Sequence, residues 1–141
     1  MSFIELHASL QLLAFLVFFP LGSIIALKRE SIGTSWFGYH VMFQTLGTIS
    51  VIAAVVFVIA YKRTDHHDHS DEKPSATKRA HRINGYILLS VLAFQWLWAV
   101  LFRRFVPWGI WLGTHMFLAA LLLVLAAIQI TLGLMLFSGK K

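Results

Sequence analysis

Four long apolar runs, separated by short polar stretches, dominate the pattern of the chain. A helix needs about 20 apolar residues to cross a bilayer, and each run is at least that long. Charged residues fall between the runs and are almost absent from within them. The pattern therefore predicts an all-α integral membrane protein with four spans. They cover about residues 3–27, 35–61, 80–102 and 109–137.

The connections between the runs are unequal in length. A short polar link, residues 28–34, joins the first two runs, and Arg103, Arg104 and Pro107 lie in another short link between the last two. Short links make consecutive helices antiparallel neighbours, so we expect one up-down-up-down four-helix bundle over residues 1–141. The polar loop 62–78 and both termini then lie on one membrane side, which we call the terminal side. Pro20, inside the first run, should kink that helix.

Composition supports the membrane assignment. The chain is 58% hydrophobic and only 13% charged, against about 25% charged residues in soluble domains. The net charge of +6 comes from residues that flank the apolar runs, so we expect no nucleic-acid partner. Cysteine is absent, so any metal ligand must be His, carboxylate or Met. Five tryptophans lie mostly near the ends of the runs, as in an interfacial belt.

Charge gives one indication of orientation. Eight Lys and Arg residues lie on the terminal side and four on the opposite side. Because cytoplasmic loops are enriched in Lys and Arg, this count favours a cytoplasmic terminal side.

Four histidines lie within the apolar runs, one near the start of each: His7, His40, His81 and His115. An ionisable side chain inside a span costs free energy unless it is paired, so such residues are candidates for function. In the predicted bundle the first and third helices start on the same side, and helices one and three are diagonal neighbours, as are two and four. His7 and His81 should therefore face each other near the terminal side, and His40 and His115 near the opposite side.

Histidines at matched depth on facing helices are the arrangement that bis-imidazole haem ligation needs. The pattern predicts two haem b groups in the bundle core, with irons roughly 20 Å apart along its axis. The second nitrogen of each ligand needs a partner, and the candidates near the sites are Ser9, Gln11, Gln44, Asn84 and Thr114.

Other glutamines and several glycines share faces with these histidines. Gln95 and Gln129 each follow a histidine by fourteen residues, close to four turns, and should reach the level of the other haem. Gly47, Gly85 and Gly133 would let a macrocycle or a neighbouring helix approach closely. Helix packing alone is the alternative explanation for both groups.

Two polar clusters have competing interpretations. The loop run HHDHSD, residues 66–71, could bind zinc or copper, but a solvated loop explains it more simply. Arg82, with Lys78 and Arg79, flanks His81 and could neutralise haem propionates or attract an anionic reductant. Alternatively, these basic side chains only extend to the membrane surface at the start of the helix.

The segments FFPLGSIIAL, WFGYHVMFQTLG, AHRINGYILL and WLGTHMFLAALLL with IQITLG, in this order, resemble the cytochrome b561 core. The resemblance is greatest to the form fused to DOMON or cellobiose-dehydrogenase-type cytochrome domains, and it covers nearly the whole chain. It implies a transmembrane electron carrier with two haem b groups, with His7 and His81 as one ligand pair and His40 and His115 as the other. Family members take electrons from ascorbate or a fused donor domain and reduce ferric chelates, monodehydroascorbate or another acceptor.

Some features depart from that family. The sequence SIIALKRE replaces the arginine-ended segment that ascorbate-dependent members carry, which argues against ascorbate as donor. With no donor domain attached, a donor protein would be a separate chain. The family also implies a homodimer, and it places the His7 end away from the cytoplasm, against the Lys and Arg count. Two other functions stay open: a haem-b anchor subunit of a quinone-linked dehydrogenase complex, and a four-span scaffold without redox activity.

Overall fold

The computed structural model describes residues 2–64 and 74–139, and these residues are almost entirely helical. Four helical stretches are long and apolar enough to cross a membrane: Phe3–Leu27, Arg29–Arg63, Ala76–Arg104 and Trp108–Ser138. This confirms the predicted all-α class and the presence of four helices with the length and hydropathy of membrane spans. The run HHDHSD lies outside the described residues.

The chain divides into two compact units, Met1–Asp71 and Glu72–Lys141. The helices of the first unit, called the first hairpin, are α1 Phe3–Leu13, a π-helical turn Ala14–Phe18, α2 Phe19–Leu27, α3 Arg29–Ile32, a 3-10 turn Gly33–Ser35 and α4 Trp36–Thr64. Those of the second unit, the second hairpin, are α5 Ala76–Leu101, a 3-10 turn Phe102–Arg104 and α6 Trp108–Ser138.

Two serine caps explain where the first and third spans begin. The Ser2 hydroxyl accepts a hydrogen bond from the Glu5 N–H at 3.2 Å, and the Glu5 carboxylate accepts one from the Ser2 N–H at 2.7 Å. This reciprocal capping box satisfies two amide donors at the start of α1 and accounts for the acid there. Ser75 likewise accepts from the Lys78 N–H at 3.2 Å, so α5 starts at Ala76, four residues before the predicted position.

The distortion expected at Pro20 takes the form of a π-helical turn. Proline has no N–H and cannot complete the helical hydrogen bond to the carbonyl four residues earlier. Immediately before it, the Phe19 N–H donates to the Ala14 carbonyl, five residues back. Local π geometry of this kind is one way in which membrane helices accommodate proline. The Phe19 carbonyl also accepts from the Ser23 hydroxyl at 2.9 Å.

The first hairpin packs α1 and α2 antiparallel to α4 through small residues. Ala14, Val51 and Ala54 are fully buried. At Gly47 the ring of Phe19 lies so close that a Cβ would be 2.6 Å from its nearest carbon. Helices in lipid gain little from the hydrophobic effect and associate through such close van der Waals packing.

The second hairpin packs α5 antiparallel to α6 in the same manner. A Cβ at Gly85 would lie 3.1 Å from the Gln129 amide nitrogen, and one at Gly133 would lie 3.3 Å from Cε1 of His81. At Gly47, Gly85 and Gly133 alike, the nearest side chain therefore comes from the neighbouring helix of the same hairpin. Leu88, which is buried, adds an apolar side chain to this hairpin.

Gly47→Ala should destabilise the protein by about 1–3 kcal/mol, because the new methyl group overlaps the buried Phe19 ring. Gly38→Ala is the matched control, since a Cβ there meets no atom within 4 Å. Unfolding of each variant by SDS in mixed micelles measures the difference. Equal stability of the two variants would contradict the described contact between α2 and α4.

Candidate functional site

His7, near the start of α1, is held by the backbone of α4. Its Nδ1 lies 2.9 Å from the carbonyl oxygen of Ala54, and its side chain is half-buried. A carbonyl oxygen only accepts hydrogen bonds, so Nδ1 carries the proton and the lone pair of the neutral ring lies on Nε2. Ala54 is fully buried, so this carbonyl lies within the packed contact of the hairpin.

His40, near the start of α4, has the same arrangement at the other end of the hairpin. Its Nδ1 lies 2.8 Å from the carbonyl oxygen of Gly22 on α2. A Cβ at Gly22 would come within 2.6 Å of the Gln44 amide nitrogen, so the glycine permits the close approach of α2 and α4 at this level. The lone pair of His40 is therefore also on Nε2.

His81, near the start of α5, contacts a chain of side-chain amides. The Asn84 amide nitrogen donates to the carbonyl of Leu125 at 2.9 Å, which fixes which end of this amide is nitrogen. The same nitrogen donates to Oε1 of Gln129 at 2.9 Å, and this places the Gln129 nitrogen 3.1 Å from Nε2 of His81. An amide nitrogen only donates, so Nε2 of His81 accepts, and the ring proton lies on Nδ1.

His115, near the start of α6, contacts Gln95 of α5. The Gln95 amide nitrogen lies 3.1 Å from the carbonyl oxygen of His115 and 3.1 Å from its Nδ1. Because this nitrogen donates to both, Nδ1 of His115 accepts and the proton lies on Nε2. His115 therefore has the opposite tautomer to the other three histidines.

An aromatic stack fixes the plane of the His115 ring. Trp111 lies parallel to it, with centroids 5.2 Å apart and an angle of 7°, and Trp108 stacks on Trp111 at 5.0 Å. Trp111 and Trp98 each donate their indole N–H to the carbonyl of the other at 3.1 Å. Arg103 lies 5.8 Å from the Trp108 ring, within reach of a cation–π interaction.

The two hairpins space their histidines equally along the helix axis. His7 lies opposite Ala54, fourteen residues after His40 on α4, and His81 lies opposite Gln129, fourteen residues after His115 on α6. At 1.5 Å per residue this separates the two imidazole levels by about 21 Å in each hairpin. Each hairpin thus holds one histidine near each of its ends.

Some of the other predicted residues lie beside a histidine, and others do not. Gln95 and Gln129 lie at the levels of His115 and His81, as their spacing predicts, and Asn84 is joined to His81 through Gln129. Gln44 instead donates to the Phe19 carbonyl at 3.4 Å. Arg82 is exposed.

Sequence reasoning missed several partners altogether. The carbonyls of Ala54 and Gly22 contact His7 and His40, and Trp111 stacks on His115. A backbone carbonyl leaves no trace in residue type. For Trp111, its position four residues before a histidine on one helix was the available signal.

The donor set is compatible with haem at His7 and His40 as they stand. A metal-ligating histidine holds its second nitrogen with a carbonyl or similar partner, as His7 and His40 do. His81 also has its lone pair on Nε2, but the Gln129 amide donates to that nitrogen and would have to move aside for iron. His115 would need its proton moved to Nδ1 and the Gln95 amide turned so that Oε1 accepts. That oxygen is buried and has no hydrogen-bond partner among the described residues.

Within the described part of each hairpin, no group of three or more His, Cys, Asp or Glu side chains is placed to hold a metal ion. Bis-histidine haem ligation needs only two imidazoles for each iron and does not depend on such a group.

Comparison with known proteins gives no relative for this chain: no family model matches it, and neither a curated protein nor a solved structure does.

In the haem-free protein, we expect the Nδ1-protonated tautomer for His7 and His40 and the Nε2-protonated tautomer for His115. Long-range proton–nitrogen correlation spectra of protein labelled with 15N-histidine distinguish the two forms. Single His→Ala variants assign the signals. The same tautomer at His40 and His115 would contradict the described hydrogen bonds.

Proposed function

We propose that the chain is an integral membrane cytochrome b that relays single electrons through two bis-histidine haem b groups. The observation that carries the proposal is the bonding of His7 and His40. Each gives Nδ1 to a backbone carbonyl of the neighbouring helix and so keeps the Nε2 lone pair that iron ligation requires.

The equal spacing of the histidines supports the same proposal. Two hairpins with different sequences both separate their imidazole levels by about 21 Å, as two ligand pairs at matched depths would require. A scaffold needs neither one histidine near each end of each hairpin nor this agreement. The pairing of His7 with His81, and of His40 with His115, follows from the predicted order of the spans and is part of the proposal.

The haem group, when bound, supplies a one-electron ferric–ferrous couple. The chain holds the imidazoles in fixed tautomers and keeps them in apolar helices. The Ala54 carbonyl polarises the His7 ring and makes it a stronger donor, which favours the ferric state. Trp111 restricts rotation of the His115 ring. Arg82, exposed and next to His81, can neutralise a propionate at the terminal side.

The electron donor belongs to one of two chemical classes, ascorbate or a separate redox protein, and the acceptor class is a ferric chelate or a similar oxidant. The exposed basic side chains Lys78, Arg79 and Arg82 favour an anionic partner at the terminal side. Membrane lipid surrounds the apolar helix faces, on which many large hydrophobic side chains are exposed.

Detergent-purified protein should contain about two haem b per chain, and His7→Ala and His40→Ala should each reduce this to about one, because each removes one ligand of one iron. The pyridine-haemochrome spectrum measures the ratio. His67→Ala, in the polar loop, is the control and should keep both haems.

A colourless wild-type protein, produced with adequate haem supply, would contradict the proposal and favour the scaffold. Co-purifying subunits together with quinone reduction would favour the anchor subunit of a dehydrogenase complex.

A further inference from the structure

The hydrogen bond from Gln129 to His81 has a feature that the proposed function does not use. It is made to Nε2, the nitrogen that would ligate iron, whereas the ring hydrogen bonds described above for His7, His40 and His115 are made to Nδ1. A neighbouring side chain also holds the bond in place. Asn84, only 9% exposed, is anchored on the Leu125 carbonyl and binds the oxygen of Gln129, so that the Gln129 nitrogen points at the imidazole.

We infer that Gln129 competes with haem iron for Nε2 of His81, and that Asn84 and Gln129 together are positioning residues that hold this histidine in its ligand tautomer before haem arrives. The inference rests on the proposed function. In addition, the Gln129 amide occupies the position at Nε2 of His81 that iron would take, so haem binding must displace this amide.

The competition follows from the chemistry of imidazole. A neutral ring has one in-plane lone pair, and that pair either accepts a hydrogen bond or binds a metal. Ligation at His81 therefore requires the amide of Gln129 to withdraw. The same bond has a benefit: because an amide nitrogen cannot accept, it keeps the proton off Nε2, so haem meets the correct tautomer.

Two substitutions at Gln129 should change haem affinity in opposite directions. Leucine cannot donate, so Gln129→Leu removes the competitor and should lower the haem dissociation constant of this site by about fivefold, the effect of losing one hydrogen bond from the haem-free state. Gln129→Glu should raise it by at least as much. An ionised carboxylate draws the ring proton onto Nε2, and a neutral carboxyl group donates to Nε2 more strongly than an amide does.

A purely structural role for Gln129 predicts a change of the same sign in haem affinity for both variants. Both variants would disturb the contact with Asn84 and with Gly85, where the amide nitrogen lies 3.1 Å from the position of a Cβ. Both would then bind haem more weakly. The opposite signs thus separate competition from packing.

The test is a titration of the haem-free full-length protein with haemin in detergent, followed by Soret absorbance. A His40→Ala background removes the other proposed site, so that one binding curve is measured. Thr131→Val is the control on the same helix, because Thr131 is exposed and its hydroxyl donates to the Ala127 carbonyl of its own helix at 2.9 Å. This control should leave the dissociation constant unchanged.

A second measurement uses no haem. In 15N-histidine spectra of the haem-free protein, His81 should be protonated on Nδ1 in the wild type, and Gln129→Leu should weaken that preference. A His81 protonated on Nε2 in the wild type would overturn the inference even if every variant failed to fold.

The outcomes separate the two proposals. Unchanged or weaker haem binding by a folded Gln129→Leu variant, with a wild type that binds haem, overturns this inference and leaves the cytochrome proposal intact. A wild type that binds no haem overturns both. Tighter binding by Gln129→Leu together with weaker binding by Gln129→Glu supports the competition.

Discussion

An imidazole inside a membrane helix must find a partner for its polar nitrogens, because the surrounding lipid offers none. In the first hairpin the partner is a carbonyl of the neighbouring helix, and this choice constrains much of the local structure. The two helices must approach closely enough for Nδ1 to reach the backbone at 2.8–2.9 Å. Small residues favour such close approach of two helices, and Gly22 and Ala54 supply the two carbonyls.

The second hairpin meets the same requirement with side-chain amides in place of carbonyls. Gln129 donates to His81 and Gln95 donates to His115, and Asn84 holds Gln129 in place by donating to it and to the Leu125 carbonyl. Such bonds between membrane helices contribute about 0.6 kcal/mol each on average, so they specify ring orientation and tautomer more than they stabilise the fold. The consequence is an asymmetry. In the first hairpin both histidines have their acceptor lone pair on Nε2. In the second hairpin His81 has it on Nε2 and His115 has it on Nδ1.

Much of this fold could be predicted from the sequence, because apolar run length and charge placement determine membrane spans directly. The first span has the predicted limits. The third begins earlier, since residues 76–79 are charged or small but continue a helix that Ser75 caps. At Pro20 a disturbance was predictable, but its form as a π-helical turn was not. The levels of Gln95 and Gln129 also followed from spacing, because fourteen residues is close to a whole number of turns.

The parts that could not be predicted depend on which atoms meet. Residue type does not show that the carbonyl of Ala54 faces His7, or which nitrogen of His81 faces Gln129. Trp111 has the position of an interfacial tryptophan, yet it also stacks on His115. The pairing of histidines between the hairpins stays a prediction from topology and from the resemblance to cytochrome b561.

The proposed ligation of two irons by four histidines can be tested directly by identifying the axial ligands. Near-infrared magnetic circular dichroism of the oxidised protein, combined with electron paramagnetic resonance, distinguishes bis-imidazole ligation from other ligand pairs. Low-spin ferric haem with two imidazole ligands is expected at both sites. High-spin iron in the wild type, or a ligand other than histidine at either site, would contradict the proposed ligation.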